Sequence, residues 1–269
     1  MPTCRSWSAM MHELNAVATI AYRDLLKFSR DRIRIVASLV FPIVIIAALG
    51  GSLQANLGSM LGYDFVTFTM TGVLAQTLFQ SAAFGIISLI EDRENDFSQE
   101  IFVSPVSRYS IVIGKILGES AVAIAQGVGI VLFGVLIGVR FDLTQIGRII
   151  PASIAVCLLG GTFGVIVLAN IRSQRAANQI FPFIFLPQYF LAGVFNPIQS
   201  LPVWLEIPSR ISPMRYAVDL TRAAYYLGTD DFGKTVIDPP AISLGVSAVL
   251  FVVFLVVGTW MFARGEANR

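Results

Sequence analysis

The sequence predicts an all-α fold: a polytopic membrane protein with six transmembrane helices, read as a single domain over residues 1–269. An N-terminal amphipathic interfacial helix, a short cytoplasmic amphipathic helix and short external membrane-dipping helices complete the expected architecture. Three observations predict it. Hydrophobic residues make up 55% of the chain and charged residues only 13%, where a soluble domain carries about a quarter charged. Six uncharged runs are each long enough to cross about 30 Å of hydrocarbon at 1.5 Å per residue. The segments between them are amphipathic or broken by proline, with no long polar tract.

The first element is MHELNAVATIAYRDLLKFSRDR, residues 11–32, with Leu14, Val17, Ala21, Leu25 and Phe28 at steps of three and four. Arg23, Asp24, Lys27 and Arg30 are expected to point away from that face. This is an amphipathic helix at the interface, serving either as a simple anchor or as a docking element. The preceding MPTCRSWSAM has no apolar core of signal-peptide length, so the N-terminus is expected to be retained. Cys4 and Cys157 lie in unlike surroundings and suggest neither a disulfide nor a metal site.

The uncharged runs cover residues 35–53, 65–90, 120–139, 149–171, 176–198 and 241–263. The third starts earlier, near Ser107, with Lys115 and Glu119 one turn apart at its entrance. Lys115 is expected to snorkel to the headgroups, or to pair with Glu119. The fifth run carries Asn178, Gln179, Pro182, Pro187, Gln188 and Asn196, so one side of it should face protein or a cavity. The pairs Gly114 with Gly118, Gly134 with Gly138 and Gly160 with Gly164 suit close helix approach. Lys and Arg residues concentrate beside the N-terminus, the second and fourth loops and the C-terminus, which places both termini in the cytoplasm.

Residues 199–238 are too apolar for a free loop and too interrupted to cross. Pro202, Pro208 and Pro213 cut them into short helices, and Trp204, Tyr216, Tyr225 and Tyr226 suit the outer interface. The opposite anomaly is the charged island EDRENDFSQEIFVSPVSR, residues 91–108. Placing its charges in hydrocarbon would cost on the order of 15 to 20 kcal/mol. It therefore lies outside, yet Phe97 and Ile101 sit one turn apart and Pro105 ends the helix near Ser104. Such a helix needs a cover, and five acids beside two basic residues fit an anionic leaflet poorly. A protein partner is the expected cover.

Residues 91–117, with the acidic run, FVSPVSR and IVIGKIL, resemble the coupling region of type-2 ABC exporter permeases. These are the drug-resistance, daunorubicin-resistance-permease-like and polysaccharide-export kind. The opening YRDLLKFSRDRIRIVASLVFPIVIIAALGG agrees, as does the order Gly193, Pro197, Leu201, Pro202, Trp204, Pro213, Asp219 and Arg222. The resemblance implies a cytoplasmic coupling helix that touches a separate ATP-binding subunit, present in two copies, beside a second permease copy or homologue in the bacterial cytoplasmic membrane. It implies that ATP and Mg bind on those partners and that this chain holds no cofactor. Glu91, Arg93, Glu94, Phe97, Glu100, Ile101, Ser104 and Arg108 match the coupling pattern, although EDREND lacks the Gly-Thr common there.

The same resemblance puts the substrate between the second and fifth spans. Thr69, Gln76 and Gln80 form one polar stripe on the second, and Gln179, Phe181, Phe185, Gln188, Tyr189 and Phe190 stand on the fifth. Two readings stand: these residues line a path for an amphipathic or apolar molecule, or they seal contacts between helices of one subunit. The substrate implied is drug-like or lipid-like and moves outward; a lipid-linked glycan is the alternative.

Other functions fit the residues less well. A net charge of +2 offers no basic field for nucleic acid. The uncharged runs hold no ionisable group for proton or sodium coupling, which argues against an ATP-independent transporter. His12 is the one histidine and lies outside the spans, so neither a metal cluster nor a nucleophilic triad forms. Gly114-Lys115 lacks the rest of a phosphate-binding loop. The chain reads as a transport subunit, with ATP hydrolysis on another polypeptide.

Overall fold

The computed structural model describes residues 3–94, 107–171, 173–198 and 202–267. Among these residues the regular structure is helical. Helix α1, Thr3–Arg30, ends just before Asp31, whose carboxylate accepts from the Arg34 N–H and caps α2, Arg32–Ile45. The α2 axis continues through a π-helical turn, Ile46–Gly50, into α3, Gly51–Leu61. That turn follows Pro42, which has no N–H to give to the helix. Asp64 caps α4, Phe65–Gly85, by accepting from the N–H groups of Val66 and Thr67.

A tight turn at Ile86 and Ile87 separates α4 from the short α5, Ser88–Glu94. Ser107 caps the long α6, Arg108–Leu136. Asp142 and Gln145 form a reciprocal capping box on α7, Leu143–Leu168. Helix α8, Gln174–Leu191, is followed by α9, Val203–Ile211, α10, Pro213–Tyr226, α11, Phe232–Thr235, and the long α12, Pro240–Ala267.

Among the described residues five stretches are long and apolar enough to cross a bilayer: Arg32–Asn56, Phe65–Asp92, Arg108–Leu136, Leu143–Leu168 and Pro240–Phe262. Five of the six expected spans are therefore present as such. The sixth, α8, has 18 residues and is about 27 Å long. It stops short of the expected end at residue 198 because Gly193 adopts a left-handed φ of 68°. The N–H groups of Gly193 and Val194 then return to the carbonyls of Phe190 and Tyr189, closing the helix.

Helix α4 is the hub, buried along nearly its whole length and packed between α6 and α7. Gly160 and Gly164 of α7 meet the backbone of Phe79 and Ala83 on α4, where no side chain would fit. The expected role of that glycine pair holds, and Gly114 with Gly118 takes the same role toward α1. Gly138 differs from expectation: it ends the α6 region with φ 96° and has open space around it. Helices α2 and α12 lie outermost, with Val36, Val40, Val44, Val249, Val252 and Val256 exposed. In a bilayer such side chains face lipid or another apolar surface.

The segment expected to be external is more deeply built in than its sequence suggested. Helix α10 packs on α4 and α7 and is buried all round, Tyr225 and Tyr226 included, whereas Trp204 on α9 is exposed. The charges of α10 each find partners, although Arg215 Nε and Arg222 Nε are buried without one. Asp219 accepts from the N–H groups of Ile237 and Asp238 and from the Ser243 hydroxyl. Arg222 lies over the Phe68 ring at 3.7 Å and donates to the carbonyls of Gly193 and Val194.

Candidate functional site

A cavity of about 550 Å³ opens at the end of the bundle where α1 and α5 lie. Four long helices wall it: Ser38, Phe41 and Pro42 on α2, Gln76, Gln80 and Phe84 on α4, Gln126 on α6, and Gln174 with Asn178 on α8. Arg34 and Glu91 stand at its rim. The wall is thus mixed: amides and hydroxyls alternate with aromatic and aliphatic faces, the lining expected for an amphipathic guest.

The expected path residues divide. Gln76 and Gln80 line the cavity, and Gln76 Nε2 donates to Gln80 Oε1 at 3.4 Å. The Tyr189 hydroxyl donates to the same Gln80 oxygen at 2.6 Å, so Tyr189 orients the wall from behind. Gln76 Oε1 is buried without a partner. Gln179 lies in an adjoining recess with Ser173, Arg175 and Asn178. Thr69 is fully buried where α4 passes Gly50.

Phe181 and Phe185 pack inside the subunit against Phe84, at ring separations of 4.9 and 5.3 Å. Gln188 donates to the Ile184 carbonyl and accepts from Ser212, tying α8 to the start of α10. These three, with Thr69, make helix contacts and are not part of the cavity wall. Gln126 is a wall residue that the resemblance, which points to the second and fifth spans, does not single out. An amide in the middle of the third uncharged run was the available signal.

Of the expected coupling residues, Glu91 is exposed at the cavity rim and Arg108 begins α6. The backbone of Arg93 and Glu94 completes α5. Phe97, Glu100, Ile101 and Ser104 lie outside the described residues, and with them the amphipathic helix expected there.

Beside α5 the structure corrects two expectations. Lys115 does not snorkel: it is 1% exposed because α1 crosses directly over it. Its partner is Asp24, 2.8 Å away and 4% exposed, which therefore lies on the buried face of α1 and not on the solvent face. The expected pair with Glu119 is present but longer, at 3.9 Å. Asp92 of α5 accepts from Arg23 at 2.7 Å and lies 3.6 Å from Lys115. Burial alone would lower the Arg23 pKa; Asp92 and then Asp24 reverse that and hold it above its ordinary value.

Residues 15–226 match the sequence model of the family described as ABC-2 type transporter. The chain is similar to the putative transport permease ycf38 of Cyanophora paradoxa, at 24% identity over 90% of this chain and 86% of that protein. It is similar to the inner membrane transport permease YadH of Escherichia coli K12, at 21% identity over 94% of this chain and 97% of the other. A shorter match, 26% identical over 52% of this chain and 38% of the relative, is to the probable multidrug ABC transporter permease YbhR of the same organism.

Proposed function

The chain belongs to the ABC-2 type transporter family, and on that premise we propose that it is the permease subunit of an ATP-driven exporter. It moves an amphipathic or hydrophobic molecule, drug-like or lipid-like, outward across the bacterial cytoplasmic membrane. The observation that carries this reading is the cavity walled by α2, α4, α6 and α8, whose amides stand among apolar side chains. The basic flanks of α1 and α2 support a cytoplasmic position for its open end and for both termini. A separate ATP-binding subunit, in two copies, binds ATP with Mg and acts on residues 91–108. A second permease copy faces the cavity and completes the path.

The test is to purify the chain with the ATP-binding protein that copurifies from its native membrane and reconstitute the complex in liposomes with a fluorescent amphiphile. ATP-dependent movement toward the side away from the ATP-binding subunit is expected. A Gln80→Leu chain, deprived of the hydrogen bonds at the wall, should transport about tenfold more slowly. A chain that binds no ATP-binding subunit, or moves the dye equally well without ATP, removes the proposal.

The amide-rich wall also favours a second reading, a lipid-linked glycan, because sugar hydroxyls pair with amides as dye rings do not. Competition by a polyprenyl-phosphate sugar, but not by the polyprenyl phosphate alone, separates the two.

A further inference from the structure

Asp24, Lys115 and Glu119 have no place in the cavity wall, yet they are among the most deeply buried charged groups of the described residues. Asp24 on α1, Lys115 and Glu119 on α6 and Asp92 on α5 are joined through Arg23 and Lys27. Three acids meet three bases, so the group is neutral as a whole. Gly114 and Gly118 bring the α1 backbone against α6 on either side of Lys115, which excludes water from the pair. Glu119 extends the group toward the break between α4 and α5. The single Ser88 hydroxyl hydrogen is shared between the Glu119 Oε1, 3.2 Å away, and the Gly85 carbonyl, and the Glu119 carboxylate fills the space a side chain at Gly85 would need.

A buried ion group of this kind adds little net stability, since apolar residues of similar size often serve as well. What it does provide is fixed geometry between three elements, of which α1 lies far from α5 and α6 in the chain. We propose that Asp24, Lys115 and Glu119 are positioning residues for energy coupling. Glu119 is the pivot about which α5 turns against α4, and the Asp24, Lys115 and Asp92 contacts clamp α5 to α1 and α6. A push arriving on α5 is then delivered to α1, and through Asp31 to α2, at the same time as to α6. Two walls of the cavity move as one. This inference rests on the permease reading above, because only there does a push arrive.

The test uses the reconstituted complex and measures transported dye per ATP hydrolysed, together with the thermal melt of the chain. Asp24→Asn combined with Lys115→Met keeps the shape of both side chains and removes their charges. It should melt close to the unaltered protein and retain ATP hydrolysis, while transport per ATP falls about tenfold. Asp92→Asn, at a partly exposed site, should lower the same ratio. Wild-type transport per ATP in the double variant overturns the proposal. If that variant does not fold, an unchanged ratio in Asp92→Asn overturns it instead. Should the unaltered complex move nothing, the permease reading fails first, and the clamp is judged by hydrogen exchange. Asp92→Asn should speed exchange about tenfold across residues 17–27 and leave α4 unchanged, and equal exchange rejects the clamp.

Discussion

At the scale of single residues, the pattern Gly193, Asp219, Arg222 acquires a mechanical meaning. Gly193 takes the left-handed turn that ends α8, and its carbonyl is one of two that Arg222 binds while stacking on Phe68. A lysine has neither the planar fork nor the stacking face. Arg222→Lys should therefore lose about 1 to 3 kcal/mol, read as a lower melting temperature in detergent, though the charge is kept. Gly160→Ala should cost about 1 to 3 kcal/mol by forcing a methyl onto the Phe79 carbonyl. Gly147→Ala, on the same helix in open space, should fall within about 0.5 kcal/mol of the original. The glycine spacing was legible from sequence because helix geometry alone puts residues four apart on one face. Lys115 was not, because its partner is on another helix far off in the chain. A lysine near the end of an apolar run looks the same whether it reaches for headgroups or for a buried aspartate.

Helices show the same division. Five spans were readable because hydrocarbon thickness sets a length that any uncharged run must meet. Helix α10 was not readable as a buried element, since periodicity displays its apolar face and is blind to partners that satisfy Arg215, Asp219 and Arg222. Helix α1 was legible as amphipathic, but its docking on α6 needed the structure. Part of that docking is the Glu13 carboxylate, which accepts from the Ser107 N–H at the start of α6. The Ser110 hydroxyl, and then Ser107, hold Glu13 below its ordinary pKa against a smaller effect of burial. A lowered acid contributes stability that is complete above its unfolded value, about 4.3, and disappears as pH falls through the lower folded value. The N-terminal half of α1 should therefore stay docked from pH 8 to about 5 and loosen only below about 4. Labelling of a Val17→Cys chain would register this, and adding Glu13→Gln should raise the labelling already at pH 7.

For the whole molecule, the decisive feature is that the cavity is incomplete. Its walls come from four helices of one chain, while α8 turns Phe183, Leu186 and Phe190 outward, Phe183 at 80% exposure. Lipid can cover an apolar face, but it cannot satisfy the amides of Asn178 and Gln179 that open beside this one. A second permease copy can do both, covering the phenylalanines and supplying polar partners across the gap. A symmetric pair also suits the expected two ATP-binding subunits, one for each α5. A second copy was expected from the resemblance alone; what periodicity cannot display is the juxtaposition of a polar recess and an apolar ridge on one side of a folded chain. The expected outcome is that Phe183→Cys, in the otherwise unaltered membrane complex, forms a disulfide between two copies on mild oxidation. Val253→Cys, also exposed on α12 but away from the cavity, should stay monomeric under the same conditions. A dimer band from Val253→Cys alone would place the second copy against α12 and leave the cavity open to lipid. Closing the path would then require a partner of another kind.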